Sequence, residues 1–350
     1  MARAGLDGMI VENRPNTFYL SGFTGTASLI LITARTTHFL TDFRYIERAR
    51  RDIHGYRVVK AGNPASKTLA QLIVKRRLKT VGFEGTLSYD SLAEWRKQLR
   101  EARPKRQRPV RLRRAAVVND ARAVKLPYEV SLLRKAQRAA ESVFDCLLGD
   151  IEPGMTERDV RRRLLELIED AQLDGPSFAP IIASGPNSAM PHAQPSHRRI
   201  ARRDIVTIDM GVMREGYCSD MTRTVFFGAP TREMREVYGV VLEAQERALA
   251  AVRAGAAAKA VDAAARSFIR ARKYGKAFGH GTGHGVGVEV HEAPTLNARS
   301  KAVLADGHCV TIEPGIYLEG RFGVRIEDTV IVREGGAENL MKASKSLVIL

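Results

Sequence analysis

The rhythm of apolar positions changes near residue 126. Upstream, short apolar runs alternate with polar turns. FLTDFRY (39–45) and YRVVKAG (56–62) read as strands, and KTLAQLIVKRRL (67–78) reads as a helix. Leu92, Trp95, Leu99 and Ala102 keep a helical apolar stripe, which Pro104 and Pro109 end. These features predict a small α/β domain over 1–118. A linker follows at 119–126, and Pro127 suits the first position of a new helix.

From 127 to 350 helical spacing takes over. Val130, Leu133, Val143 and Leu147 mark a helix over 128–148. GMTERDVRRRLLELIEDA (154–171) supplies a second, with Thr156 and Asp159 spaced as a capping box. IVTIDMGVMREGYCSDMTRTVFFG (205–228) then gives two strand-like runs around the turn signal REG. The order repeats. Helices over 231–253 and 259–273 precede the strand-like runs CVTIEPGIYLEG (309–320) and FGVRIEDTVIV (322–332). Helix, helix, hairpin therefore occurs twice, a repeat of structure rather than of residues.

Composition keeps this picture globular. The chain has 350 residues, 44% apolar and 27% charged, which suits two domains. Charge divides it unevenly. Residues 1–125 hold 26 Lys+Arg against 10 Asp+Glu, while 126–350 hold 30 against 29. The densest basic stretch, RKQLREARPKRQRPVRLRR (96–114), has no interleaved aromatics to stack bases, and no nucleic-acid motif accompanies it. It reads as a solvated basic face, and nucleic acid is not expected as a partner. The start lacks an apolar stretch behind a basic end, and no run of eighteen apolar residues occurs. Neither a signal peptide nor a membrane span is expected. Three scattered cysteines without a C-x-x-C pair point to a reduced, cytoplasmic setting.

Candidate chemistry sits on the two hairpins. Asp209 and Asp220 are equidistant from Arg214–Glu215, and Glu313 and Glu327 are equidistant from Gly320. Residues opposite one another in a hairpin have Cβ atoms roughly 4.5–5.5 Å apart. Carboxylates placed so repel unless a cation or a shared proton lies between them. A third element is GHGTGHGVGVEVHE (279–292), with five glycines and three of the chain's eight histidines. Glycine weakens strand and helix interiors, so a bound metal or a close-fitting ligand is expected to hold this segment. Four carboxylates and an imidazole suit a pair of Mn(II), Co(II), Zn(II) or Fe(II) ions better than a structural zinc.

These motifs together resemble one family. IDMG…YCSDMTRT, the glycine–histidine segment, TIEPGIY and RIEDT are similar to the pita-bread metallopeptidases: methionine aminopeptidase, Xaa-Pro aminopeptidase and Xaa-Pro dipeptidase (prolidase), with creatinase as a metal-free cousin. NTFYLSGFTGT and LTDFRY resemble the creatinase-type N-terminal domain of the proline-directed members. The resemblance implies a creatinase-type α/β domain followed by an α+β pita-bread catalytic domain with a pseudo-twofold helix–helix–hairpin repeat. It implies two divalent ions per chain, Mn before Co or Zn. Asp209 would bind one ion, His284 and Glu313 the other, and Asp220 and Glu327 both. His192, His280 and His291 would stand beside the substrate, shaping a proline pocket and meeting the developing oxyanion. Arg325 and Phe178 would line the same region, and Glu313 would shuttle the proton. A homodimer is implied. His38, His54, His197 and His308 read as ordinary core or surface residues, although in some dimeric relatives N-domain residues such as His38 reach a neighbouring subunit's site. His197 and Arg203 depart from the family's usual residues without touching a ligand.

The substrate class follows from one further departure. Archaeal-type prolidases resemble this chain and commonly carry Arg after the proline of the HE-x-P segment. Here HEAPT has Thr295. Without that anchor for a dipeptide carboxylate, the expected activity is an Xaa-Pro aminopeptidase acting on peptides with proline second. Prolidase is the alternative, and a catalytically dead peptide-binding module is a remote one. Methionine aminopeptidase is disfavoured by the N-terminal domain and the His192 segment.

Overall fold

Upstream of residue 121, the short apolar runs pair into one mixed sheet. The strands are β1 (Gly8–Val11), β2 (Leu29–Thr33), β3 (Thr37–Thr41), β4 (Arg57–Lys60), β5 (Thr80–Phe83) and β6 (Arg111–Arg114), in the order β4-β3-β2-β1-β5-β6. The β1–β2 and β2–β3 pairs are antiparallel and the others parallel. Helices α1 (Arg14–Ser21), α2 (Ile46–Asp52), α3 (Ala65–Lys75), α4 (Tyr89–Ala102) and α5 (Val117–Ala123) connect and follow them. Successive strand residues point to opposite faces. Ile10, Leu31 and Leu40 pack with Leu69, Ile73, Trp95 and Leu99 of α3 and α4. Their neighbours Val11, Ile30 and Phe39 pack with Ala49 and Val118. The strand expected over FLTDFRY stops at Thr41, because Asp42 turns the chain by accepting from Arg44 N at 2.9 Å.

The computed structural model describes residues 1–350, which divide into the units Met1–Ala121 and Arg122–Leu350. In the second unit, α6 (Pro127–Asp150) and α7 (Glu157–Asp170) stand where the apolar spacing placed them. Thr156 Oγ1 accepts from Asp159 N at 3.1 Å, and Asp159 accepts from Thr156 N at 2.9 Å, completing the capping box. Next come β7 (Gly175–Pro176), β8 (Ile181–Ser184), β9 (Ile205–Met210), β10 (Val212–Arg214), β11 (Tyr217–Cys218) and β12 (Met221–Phe226). Then follow α8 (Arg232–Ala251), α9 (Ala258–Ala271), β13 (Gly283–Gly285), β14 (Glu292–Leu296), β15 (Cys309–Ile312), β16 (Gly315–Leu318), β17 (Phe322–Arg325), β18 (Asp328–Arg333), β19 (Gly336–Asn339) and β20 (Val348–Ile349). Helix, helix, hairpin thus recurs, with β8 joined to the first hairpin and β13–β14 to the second.

Each hairpin buries one face under its own helices. Val206, Ile208, Met210 and Val225 pack with Val143, Leu147 and Leu164 of α6 and α7. Val310, Ile312, Val330 and Val332 pack with Val241, Ala244 and Ala265 of α8 and α9. Strand alternation turns Thr207, Asp209, Thr222 and Thr224 away from the first core, and Thr311, Glu313 and Glu327 away from the second. These polar faces meet between the hairpins, where Thr224 Oγ1 donates to Arg325 O at 2.8 Å and Glu327 N to Thr222 O at 3.2 Å. No helix is long and apolar enough to cross a membrane.

Candidate metal centre

The second hairpin has the geometry its sequence predicted. Ile312 faces Asp328 and Gly315 faces Arg325, a register that sets Glu313 opposite Glu327 with Gly320 at the turn. The first hairpin does not. Asp209 faces Thr222, and Arg214 faces Tyr217. The turn residues are Glu215 (φ 52°) and Gly216 (φ 77°), not Arg214 and Glu215. Positive φ at both central positions is the type I′ turn favoured by two-residue hairpins. Moving the turn by one residue moves every partner by two. Asp220 is therefore diagonal to Asp209 on the same face, still within side-chain reach.

The glycine–histidine segment supplies the imidazole. His284 lies on β13, between β14 and β15, directly across from Thr295. A Cβ at Gly283 would come within 1.9 Å of Thr311 O, and one at Gly285 within 2.3 Å of Ala293 O. The two glycines flanking His284 are needed for close approach of neighbouring backbones, not for a turn. His284 Nδ1 lies 3.1 Å from Gly285 O, which leaves Nε2 facing the carboxylates, 3.2 Å from Glu313 and 3.6 Å from Asp220. A backbone carbonyl on the remote ring nitrogen is the usual arrangement for a ligating histidine.

The electrostatics of the centre suit a bound metal. Asp209, Asp220, Glu313 and Glu327 are gathered around a single guanidinium, Arg325. Burial raises Asp220 well above the usual carboxylate range, and Glu327, Asp209 and Glu313 raise it further. Burial with the charges of Glu313 and Asp209 pushes Glu327 up to about 8. Burial also raises Asp209, against the opposing pull of Arg325. Burial alone would lower His284, but the hydrogen bond and charge of Glu313 raise it to about 9. Glu313 is correspondingly held below its ordinary value despite its burial. The centre is short of positive charge and retains protons to compensate. The ligand atoms of Asp220, His284 and Glu327 lie within 4.8 Å of one another. Oxygen donors with one imidazole fit hard to borderline divalent cations.

All eleven residues singled out from the sequence line one cavity of about 480 Å³. Arg325 Nη2 donates to Asp209 Oδ2 at 2.5 Å, Nε to Thr222 Oγ1 at 3.1 Å, and Nη1 to Pro191 O and Tyr317 Oη at 3.0 Å each. It thus ties the loop of His192 to the carboxylates. Both nitrogens of His280 are engaged, Nδ1 with Gly281 O at 2.7 Å and Nε2 with Tyr317 Oη at 2.8 Å. His192 and His291, by contrast, have exposed rings that make no side-chain hydrogen bond. His291 stacks edge-on against His284, with ring centroids 4.2 Å apart. Phe178 and Thr295 lie on the cavity wall.

Three contributors escaped the sequence reading. Tyr317 joins Arg325 to His280, and burial pushes its phenol up to about 12, so it stays protonated. Its alternation with Glu313 on one strand face was the available signal. Thr222 Oγ1 donates to Glu327 Oε2 at 2.7 Å. Glu292 anchors the histidine segment from behind, 3.1 Å from Lys125 Nζ and paired with Arg122, both cations being almost fully buried.

Known proteins are similar to this chain over nearly its full length. Residues 131–334 match the metallopeptidase family M24 model, and residues 1–124 match the creatinase/prolidase N-terminal domain. A Xaa-Pro dipeptidase of Pyrococcus furiosus is 35% identical over 99% of this chain and 97% of its own. The solved structure of a Xaa-Pro dipeptidase from Bacillus anthracis covers 100% of this chain and 96% of its own at 38% identity, with a TM-score of 0.93. That of an X-Pro aminopeptidase from Thermotoga maritima covers 100% and 99% at 34% identity, with a TM-score of 0.90. The fold is the creatinase-type domain followed by the pita-bread domain, and the chain belongs to metallopeptidase family M24.

Proposed function

We propose that the chain hydrolyses the peptide bond preceding proline, with Xaa-Pro dipeptides as its leading substrates. The observation that carries this is the carboxylate–imidazole centre in a cavity of about 480 Å³ walled by Phe178, His192 and His291. That volume lies within the roughly 300–1,000 Å³ of small-molecule sites. Similar chains named as dipeptidases favour the dipeptide reading over the aminopeptidase that Thr295 led us to expect. Asp209, Asp220, His284, Glu313 and Glu327 would hold two divalent ions, with Mn proposed before Co or Zn. When bound, such ions polarise a carbonyl and lower the pKa of water.

The chain's own groups do the rest. Glu313 accepts a proton at a carboxylate oxygen and returns it to the leaving proline nitrogen. His192 and His291 donate to the carbonyl oxygen as its charge develops. Proline's tertiary amide has no N–H, so the pocket reads ring shape through Phe178 and the imidazoles. Arg325 positions Asp209 and the His192 loop. The same reading includes a homodimer in the cytoplasm, where three free cysteines would stay reduced.

One observation favours the aminopeptidase. Arg325 is the only Lys or Arg lining the cavity, and Asp209 already holds it. A dipeptide carboxylate meets no free guanidinium there. Comparing kcat/KM for Ala-Pro and Ala-Pro-Ala with Mn-loaded enzyme decides the matter. The dipeptide is expected to be the better substrate. A tripeptide advantage above about tenfold, roughly 1.4 kcal/mol of transition-state binding, would return the chain to the aminopeptidases. Turnover of neither, with metal bound, would reject the proline reading.

A further inference from the structure

Part of the charge surplus of the first unit gathers at one end of its sheet, away from the basic stretch 96–114. Asp7 before β1, Arg35 after β2, His38 on β3, Arg57 on β4, and the stretch from Leu72 to Lys79 that closes α3 and enters β5 enclose an open groove of about 860 Å³. Its walls carry Arg35, Arg57, Lys75, Arg76, Arg77 and Lys79, none of them in an ion pair. The only carboxylate lining it, Asp7, is occupied by Lys79 N at 2.9 Å and Thr80 N at 2.8 Å. The dipole of α3 accounts for cations at its C-terminal end, Lys75 to Arg77. It accounts for none of Arg35, Arg57 and Lys79, which come from other elements.

The contact at His38 shows how the groove is built. The ring is 2% exposed, and Arg76 Nη2 donates to its Nε2 at 2.8 Å. Burial, with Arg76 and Arg57 close by, lowers the histidine's pKa and keeps the imidazole neutral. Where a carboxylate pairs with an arginine, it cancels the arginine's charge. Here the guanidinium is oriented by an uncharged partner, so its charge and remaining donors stay available. Like charges gathered this way repel one another until an anion enters.

We propose that this groove binds a small, multiply charged oxyanion of the phosphate type, an oligophosphate or the phosphate chain of a nucleotide. Guanidinium forks pair bidentately with phosphate oxygens. No Phe, Tyr or Trp lines the groove, so a base finds no stacking surface and the phosphates carry recognition. The site lies in the unit without peptidase chemistry and is independent of the proposed substrate.

The test is calorimetric titration of full-length, metal-loaded protein with inorganic triphosphate at fixed ionic strength. Saturable binding is expected, weakened at least about tenfold in the double variant Arg76→Gln/Arg77→Gln. Arg96→Gln/Arg100→Gln removes the same charge from the exposed face of α4 and should leave binding within about twofold. Stripping of catalytic metal by triphosphate would be equal in all these proteins, so the difference belongs to the groove. If the first double variant melts early, Arg57→Gln carries the same expectation. ATP binding as tightly as triphosphate marks a phosphate site open to both sources, and tighter ATP binding marks the nucleotide. Equal losses in the two double variants would assign the effect to bulk charge and overturn the proposal. Absence of saturable binding, or binding of an oligonucleotide but not of triphosphate, would overturn it too.

Discussion

The two hairpins of the catalytic unit bring two carboxylates each to one centre, but on different registers. Glu313 and Glu327 stand directly opposite, whereas Asp220 is diagonal to Asp209. The turns cause the difference. The second hairpin closes with three residues centred on Gly320, while the first closes with the two residues Glu215 and Gly216. The place opposite Asp209 is thereby left to Thr222, and its hydroxyl serves Glu327 of the other hairpin. The offset register gives the first hairpin one carboxylate pair and one supporting donor on the same face. The symmetric register offers no such spare place, and Glu313 instead receives Thr311 Oγ1 along its own strand at 3.2 Å.

The largest expected effect tests whether the diagonal pair is as necessary as the opposed one. Asp220→Ala should lower peptidase activity by more than about a hundredfold and reduce bound metal measured by elemental analysis, since even outer-shell losses cost about 10–100-fold. Retained metal and activity would make the first hairpin dispensable.

Next in size is the pH response of the metal-free protein. Glu327 and His284 both have folded values above their unfolded ones, at about 8 and about 9. The folded state holds more protons than the unfolded state over this range, so their contribution is present at low pH and lost as pH rises. Above about pH 7.5 the histidines lowered by burial are neutral in both the folded and the unfolded chain. Metal-free protein should therefore lose on the order of a few kcal/mol of stability between about pH 7.5 and 9. Saturating Mn(II) should flatten that slope. A metal-free melting temperature that rises with pH would show that the centre does not store protons.

A smaller effect separates the supporting hydroxyls. Thr222→Val keeps the shape and removes the donor to Glu327, at an expected cost of about 10–100-fold in metal affinity. Thr311→Val should cost less, because its bond to Glu313 is the longer one. Equal costs in competitive metal titrations would erase the distinction between the hairpins.

The smallest effect concerns the turn itself. Glu215 holds a left-handed conformation that asparagine tolerates better. Glu215→Asn should raise stability in chemical denaturation by up to about 1 kcal/mol. Its exposed ion pair with Lys135 is a minor loss. A drop in stability would mean that the turn does not set the register.

Much of the molecule was legible in the sequence because its signals are local. Apolar spacing placed α6 to α9, and the Thr156–Asp159 pair marked the start of α7. The carboxylates stood out as acidic residues inside apolar strand runs, where unpaired charge is costly. Equidistance about Gly320 was correct because a three-residue turn has a residue at its centre. REG does mark the turn, but its centring on Arg214–Glu215 failed because the centre depends on which residues accept positive φ, and Glu215 does so only within the paired strands.

By itself, then, the sequence determined which residues could carry metal and peptide chemistry, and on which hairpins they would lie. Tertiary structure decided their partners. Tyr317 between Arg325 and His280, Thr222 beneath Glu327, and Glu292 against Arg122 and Lys125 are contacts between segments up to about 170 residues apart. No local propensity encodes such pairings. They arise because each apolar strand face must bury against its own helices, which leaves the opposite, polar faces to satisfy one another.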